Sequence, residues 1–578
     1  MKPRVLLTTS YGPNHLGWGE DMYDLLTSRL ARGHGIFQMT SHCHYFALYL
    51  IAENLSVPTT VLENPHWEDF EKELDEGYDY VGFQLKSLHT KKIARMMKHI
   101  REKSPKTKVV VGGYGVSTLG QPVPGDTEGD AVYIRDNADY LCQEEGVGFM
   151  RKVLGDESVD REITQYTLPT AAFSVPGVNY QLRLPIVLVS LGCPNGCDFC
   201  NTSAFFKNKK IYVAEPEQTY RFMKAYQERL RSKFVFTLLF DEDFFINKEY
   251  VRELGRLIRS DKKTWGMRYF TFGSMRSLSQ FEPEELRDNG LGVVWVGVES
   301  FMCGRDIPED SYKKRGGPDI ERLFSNLHEQ GIGTIGSLVM GFDFHDEDNL
   351  KEDIDRFIGL KPSFYQLSPL TPCPGTPLYE RMLEEGRIKD NYKWEDFNLW
   401  KDDVFELKNF EDGEIKKHFD YAHDKIANEM GPPVMQGLEL LTDNYAMMKR
   451  SGKKDGFTKK KMKTSRDAAR AMHIYNSAII EHHPSEKVRE RAKELDKKFH
   501  QKVGRGFPLG KIADKYVSRK IDKHAKKPSQ PVVSDPPPRW TWYNTFDDRV
   551  WVKKGRDAKP APYRKGFLIG RRGKSFLP

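Results

Sequence analysis

The sequence predicts an α/β protein in three parts: a doubly wound, Rossmann-like sheet, a partial barrel of six β/α units, and a helical, basic C-terminal extension. Three observations predict it. Short apolar runs alternate with helical stretches in two separate series. A stretch without periodicity divides the two series. The last part of the chain carries a charge balance unlike the rest.

The 578 residues are too many for one ordinary domain. Residues 1–165 form the first series, with strands at Arg4–Thr9, Pro58–Leu62, Tyr80–Phe83 and Lys108–Val111 and a helical pattern at Phe46–Ala52. Val111 runs directly into Gly112, Gly113, Tyr114 and Gly115, a glycine turn where open α/β sheets bind ligands. A plain strand–helix turn accounts for the same glycines. Residues 166–184, with Pro169, Pro176 and Gly177, read as a linker. Residues 185–380 hold strands at Pro185–Ser190, Phe234–Phe240, Arg268–Phe272, Val293–Val298, Thr334–Met340 and Phe364–Leu367, with helical stretches between them. Such a series closes into a full or partial barrel with its active loops at the strand C-termini. Residues 381–448 read as a helical region and 449–578 as a basic extension that ends irregularly.

Composition narrows the class. Hydrophobic residues make up 39% and charged residues 30%, which suits a soluble globular protein. There is no apolar run of about 18 residues. Met1–Thr9 turns polar too quickly for a signal peptide and reads as a buried first strand. The seven cysteines are odd in number and three crowd one loop, so the expectation is a cytoplasmic protein with cysteines as ligands.

That loop is Cys193-Pro194-Asn195-Gly196-Cys197-Asp198-Phe199-Cys200, a C-x3-C-x2-C spacing just after the first strand of the second series. Three thiolates on a short loop can hold three irons of a cubane and leave the fourth open. An open metal position is what a catalytic site needs. A structural zinc site is the alternative, were His42, Cys43 and His44 brought across to complete it. The bland reading of that trio is a helix start with partly buried side chains.

With these residues in view, the sequence resembles the radical S-adenosylmethionine (SAM) superfamily over most of 185–380. The resemblance implies a [4Fe–4S] cluster on Cys193, Cys197 and Cys200. It also implies a SAM site at the later strand ends. Phe199 lies inside the cysteine motif, and Asp241, Glu242 and Asp243 form the acidic turn that in many members receives the SAM amino group. Ser274 and Arg276 follow the third strand, Glu299 and Ser300 end the fourth, and Gly341 ends the fifth, where backbone approaches adenine. Core packing or solvation explains Ser274 and Arg276 equally well. The implied chemistry is reductive cleavage of SAM to a 5′-deoxyadenosyl radical, with electrons from a flavodoxin- or ferredoxin-type donor. No catalytic residue beyond these is assigned.

Pro369–Tyr379 resembles a signature common in members with an N-terminal cobalamin-binding-type domain, and Cys373 within it reads as a packed loop cysteine. That subgroup places cobalamin at the first sheet, here at Gln84, Leu85, Gly112, Gly113 and Tyr114. Two features depart from other B12 proteins. The D-x-H-x-x-G motif is absent, His15 lacking its spacing, and Gln84-Leu85-Lys86 replaces S-x-L. The resemblance therefore implies cobalamin held without a lower histidine, or a fold that binds none. With cobalamin, the expected reaction is methyl transfer to an unactivated carbon of a small-molecule, lipid or isoprenoid substrate. Without it, the expected reaction is a radical cyclisation, rearrangement or oxidation.

Residues 449–578 hold roughly 36 Lys and Arg against 13 Asp and Glu, about +23, leaving about −16 for the rest. Lys459, Lys460, Lys461 and Lys463 lie in one dense stretch, and Trp540, Trp542 and Trp551 follow among prolines. Such an extension suits peripheral contact with an anionic membrane or a solvated tail. A non-catalytic nucleic-acid-binding protein is the competing class. No RNP, KH or zinc-knuckle pattern favours a nucleic-acid partner.

Overall fold

The computed structural model describes residues 2–12, 37, 40–156, 161–166, 170–174, 181–230, 236–302, 319–397, 404–506, 510–525, 538–543, 549–554 and 561–564. The expectation placed on His15 lies outside these residues. For His42, Cys43 and Trp551 only the backbone is described.

The strands in chain order are β1 Val5–Thr8, β2 Thr40–Cys43, β3 Thr59–Glu63, β4 Tyr80–Gln84, β5 Lys108–Gly112, β6 Tyr140–Cys142, β7 Thr170–Ser174 and β8 Gln181–Leu188. They continue with β9 Ser190–Leu191, β10 Ile211–Tyr212, β11 Phe236–Phe240, β12 Arg268–Gly273, β13 Leu291–Glu299, β14 Gly333–Met340 and β15 Phe364–Pro369. The last three are β16 Arg539–Tyr543, β17 Arg549–Lys554 and β18 Ala561–Arg564.

The first sheet has the parallel order β3-β1-β4-β5-β6, a doubly wound topology whose ligand crevice lies at the strand carboxyl ends. Its strands are buried on both faces, as parallel strands covered by helices must be. Leu6, Val81, Val109 and Val111 pack on one side, and Val5, Leu7, Val61 and Val110 on the other. The helix Thr90–Lys103 covers one face through Ile93, Ala94, Met96, Met97 and Ile100.

The second sheet runs β15-β14-β13-β12-β11-β8-β7-β2. Its six strands from β8 to β15 are parallel and in sequential order, an open arc of β/α units. Val187, Leu239, Tyr269, Val294, Val296 and Leu338 face the helices. Ile186, Leu238, Phe270 and Ile335 face the other way, into the arc, with Phe240, Phe272, Trp295 and Phe364. Phe272 and Trp295 stack there at 5.4 Å, and Phe46 reaches in from the N-terminal part to Phe240 at 4.9 Å.

Two segments differ from the sequence expectation. The stretch expected as a linker contains β7 and the start of β8, which pair antiparallel, and β2 pairs with β7. Pro169, Pro176 and Gly177, which suggested the linker, lie outside the described residues. Pro185 falls where β8 gives up β7 and takes β11, so its missing N–H leaves no ladder bond unmade.

The extension expected to end irregularly instead holds four helices, Gly456–His473, Asn476–His482, Glu486–Lys502 and Gly510–Ala525, and three strands. The strand β16 adds antiparallel to β3 and extends the N-terminal sheet. Aromatic alternation drives this pairing, with Trp540 on one face of the sheet and Tyr543 on the other.

At the seam between β16 and β3, Glu63 accepts from the Tyr45 N–H (2.7 Å) and the Tyr49 hydroxyl (2.7 Å) and pairs with His44 Nδ1 (3.0 Å). Arg539 lies against the His44 ring at 2.9–3.0 Å. Burial pushes the Glu63 carboxyl up, but His44, Arg539 and Tyr49 outweigh it and hold it down at about 2. His44 is thus spent on structure, but the trio is no helix start: His42 and Cys43 end the strand β2, and the helix begins at Phe46.

Many of the extension's basic residues face the acidic body. Lys453 pairs with Glu284 and Lys498 with Glu439 and Asp443. Lys461 is buried against Arg287, donating to its carbonyl at 2.5 Å. Arg268, at the amino end of β12, reaches Asn444 and Ser465 on the C-terminal helices. No helix among the described residues is long and apolar enough to cross a membrane.

Candidate active site

The cysteine loop leaves β9 through Gly192, whose φ of +77° and neighbours demand glycine: a Cβ there would lie 2.1 Å from the Lys209 carbonyl oxygen. Cys193 and Cys197 are buried and Cys200 half-buried, and none of the three is joined in a disulfide. The loop is braced from several sides. Cys200 N–H donates to the Cys197 carbonyl (3.1 Å), and the Leu378 N–H to the Asp198 carbonyl (3.0 Å). Arg381 pairs with Asp198 at 3.0 Å.

The proline-rich turn after β15 therefore clamps the cysteine loop, and the Tyr379 hydroxyl donates onward to the Pro122 carbonyl of the N-terminal part. Cys373 in that turn is buried, which pushes its thiol up to about 12. Three thiols on one loop suit the corners of a cubane.

The acidic turn divides its labour. Asp241, fully buried, accepts from Lys210 Nζ (2.6 Å), the Ser190 hydroxyl (2.7 Å) and the Asp243 N–H (3.0 Å). Asp243 is also buried and accepts from Asn195 Nδ2 (2.9 Å), the Ser274 N–H (3.1 Å) and the Ser277 hydroxyl (2.5 Å). Asp243 thereby ties the cysteine loop to the turn after β12. Glu242 is half-buried beside the Thr202 hydroxyl (3.4 Å) and Tyr114. Ser274 caps the helix Met275–Leu278, and Arg276 is exposed.

At the end of β13, Glu299 has a φ of +61°, a strained value for a residue with a Cβ, and its carboxylate folds back over Gly297. Ser300 joins a buried network that sequence reasoning missed. His345 Nδ1 accepts from the N–H groups of Gly341 (3.1 Å) and Phe342 (3.3 Å), while its Nε2 faces Asp353 and Ser300, both at 3.2 Å. This fixes the Gly341 turn, where φ is +102°. Phe342 beside it meets Phe199 of the cysteine motif at 6.1 Å. The sequence signal was Asp346 capping the helix Glu347–Gly359, which carries Asp353, with His345 in the turn just before the cap.

A cavity of about 280 Å³ lies between the two sheets. Its wall on the N-terminal side is Gln84, Leu85, Gly112, Gly113 and Tyr114, all five of the residues expected to hold cobalamin. Its opposite wall is Leu188, Leu191, Phe205, Phe206 and Phe240, which flank the cysteine loop and end β8 and β11. Gly113 has a φ of +97°, and a Cβ there would sit 2.7 Å from the Leu85 carbonyl oxygen. Gln84 Oε1 is buried on this wall with no hydrogen-bond partner among the described residues. Sequence reasoning missed Phe205 and Phe206, which pack their edges against Tyr114 at 5.3 and 6.1 Å.

Comparison with known proteins bears on this site. Residues 187–357 match the family model of the Radical SAM superfamily. Bacteriochlorophyllide d C-12(1)-methyltransferase of Chlorobaculum tepidum is 26% identical over 343 residues, 56% of this chain and 69% of that one. Anaerobic magnesium-protoporphyrin IX monomethyl ester cyclase of Cereibacter sphaeroides is 23% identical, across 52% of this chain and 48% of that one. Among solved structures, the radical SAM methyltransferase TsrM of Kitasatospora setae, with cobalamin and [4Fe-4S] cluster bound, matches 67% of this chain and 75% of its own. The identity is 16% and the TM-score 0.43. The family match spans β8 to β14 and takes in the three-cysteine loop after β9, so residues 187–357 are similar to the Radical SAM superfamily, whose members use a [4Fe–4S] cluster and SAM.

Proposed function

We propose that the chain is a cobalamin-dependent radical SAM enzyme that transfers a methyl group to an unactivated carbon of an apolar substrate. One observation carries this: the cavity is walled on one side by the carboxyl ends of the doubly wound sheet and on the other by the flanks of the cysteine loop. The residues fit the groups. Three thiols on one loop, none in a disulfide, suit the cluster, and glycines that keep the backbone low, apolar walls and the unpartnered Gln84 oxygen suit the face of a corrin. When bound, the cluster supplies the electron that cleaves SAM and the corrin supplies the methyl group.

The chain's own residues then position and seclude. Asp241 and Asp243 each accept three hydrogen bonds from protein donors and hold the loops, and the role of meeting the SAM ammonium is assigned to Glu242, half-buried in the same turn. Phe199, Phe342 and the Gly341 backbone receive the adenine, and Glu299 with Ser300 the ribose side. Phe240, Phe270, Phe272 and Trp295 give the arc an aromatic wall that excludes water from a radical and suits a flat or lipid-like substrate. The relatives acting on bacteriochlorophyllide and magnesium-protoporphyrin monomethyl ester agree with an apolar, ring-shaped substrate.

The test is anaerobic purification with reconstituted cluster and hydroxocobalamin, followed by optical spectra and assay of SAM products. Methyl transfer requires one corrin per chain and both 5′-deoxyadenosine and S-adenosylhomocysteine. The cyclase relative favours a second reading, radical ring closure without methyl transfer. Deoxyadenosine without S-adenosylhomocysteine selects that reading, and no cluster uptake ends both.

A further inference from the structure

We propose that His473, Asp496 and His500 form a site for a divalent transition-metal ion, zinc foremost, that fastens two helices of the C-terminal bundle together. The site is independent of the cysteine loop. His473 ends the helix Gly456–His473, and Asp496 and His500 lie one turn apart on Glu486–Lys502. Among the described residues this is the trio of His, Cys, Asp or Glu whose ligand atoms all fall within 4.8 Å of one another.

The arrangement goes beyond an ion pair. His473 Nε2 meets Asp496 Oδ1 at 2.7 Å, and His500 Nε2 faces the same oxygen at 3.8 Å. His500 Nδ1 lies 3.1 Å from the Gly504 carbonyl oxygen, an acceptor, so Nδ1 carries the ring proton. Nε2 is thereby the ring nitrogen available to a metal, and it faces the Asp496 carboxylate oxygen, so a cation between them would be ligated by both. The 2.7 and 3.8 Å separations bracket the roughly 3.3 Å edge of a tetrahedron with metal–ligand bonds of about 2.0–2.1 Å. Side-chain adjustments of a few tenths of an ångström close the site.

The surroundings are those of a built ligand set. The carbonyl on His500 Nδ1 is the outer partner that metal-bound imidazoles commonly have. The His473 ring is held flat on Phe499 at 4.0 Å. Asp496 and His500 are partly open to solvent, which gives an ion a way in and leaves a fourth position for water. Two imidazoles and one carboxylate suit zinc above calcium or magnesium.

The experiment uses full-length, cluster-loaded protein, stripped with a mild chelator and titrated with zinc sulfate under argon. Zinc per chain is measured after desalting, together with the thermal midpoint. The expected result is one zinc more in wild type than in His500→Gln, and a zinc-dependent rise in midpoint that the variant lacks. His500 is exposed, so this variant folds. Asp496→Asn, which retains a hydrogen-bonding oxygen for His473, is expected to weaken zinc binding at least tenfold. Equal zinc retention in wild type and both variants would overturn the proposal, leaving an ion pair and a neighbouring histidine. Because cysteine-bound zinc is common to all three proteins, it cancels in the comparison.

Discussion

Replacing Lys210 with methionine tests the reasoning about the acidic turn most directly. The ammonium and the Asp241 carboxylate meet at 2.6 Å with side chains 8% and 0% exposed, so neither charge is shared with bulk water. Lys210 also donates to the Asp243 carbonyl at 2.7 Å. Methionine keeps the stem's volume and removes the charge, which strands a carboxylate in the interior. Breaking a buried pair from one side costs about 3–5 kcal/mol.

Asp241→Asn alone strands the ammonium at similar cost, but the double variant Lys210→Met/Asp241→Asn strands neither. It is expected within about 1–2 kcal/mol of wild type, a coupling of at least about 2 kcal/mol in the double-mutant cycle. The assay is urea unfolding under anaerobic conditions, followed by far-UV circular dichroism, with iron per chain measured after reconstitution. Lys210→Met is expected to lower both, since the turn it supports reaches the cysteine loop through Asp243 and Asn195. A loss below about 1 kcal/mol for Lys210→Met, or a double variant as unstable as the sum of the singles, would refute the reasoning.

Other outcomes follow from neighbouring features. Alanine at Cys193, Cys197 or Cys200 is expected to abolish the cluster chromophore, whereas Cys373→Ser, at a buried protonated thiol, leaves iron and sulfide per chain unchanged. Gly113→Ala forces a Cβ to 2.7 Å from the Leu85 oxygen at a φ of +97°. Hydroxocobalamin affinity, read by equilibrium dialysis, is expected to fall at least tenfold while the cluster persists. Glu63, held down at about 2 when folded against an ordinary 4.5, contributes stability that is present above about pH 4.5 and lost as pH falls towards 2. The contribution is about 3 kcal/mol, at 1.36 kcal/mol per unit. Glu63→Gln is expected to flatten that part of the stability–pH curve of the cluster-free protein, and an unchanged curve would remove the assignment.

The parts legible in the sequence are those set by local pattern. Alternating apolar residues marked β1, β3, β4 and β5 and all six parallel strands of the arc, because each strand buries itself against helices adjacent in sequence. Cys193, Cys197 and Cys200 were legible because their spacing is local too. What escaped depends on distant partners. Arg539 and His44 meet across 495 residues, and no window of sequence shows that a tryptophan-rich stretch near the end has a sheet edge waiting for it. Within the acidic turn the sequence offered three equal carboxylates. Only their neighbours, Lys210, Ser190, Asn195 and Ser277, show that Asp241 and Asp243 brace the surrounding loops. The basic extension looked like a free tail because its counter-charges, Glu284, Glu439 and Asp443, lie in parts of the chain that sequence order keeps apart.

The seam between β16 and β3 has a consequence for the order of synthesis. The strand Thr59–Glu63 leaves the ribosome early, and the strand that covers it comes about 480 residues later. At roughly 5–20 residues per second, that is on the order of half a minute to a minute and a half. Through that interval the first sheet carries an open edge of Thr, Val and Leu, the kind that recruits foreign strands. The sheet built first in the sequence is therefore the one whose edge is covered last.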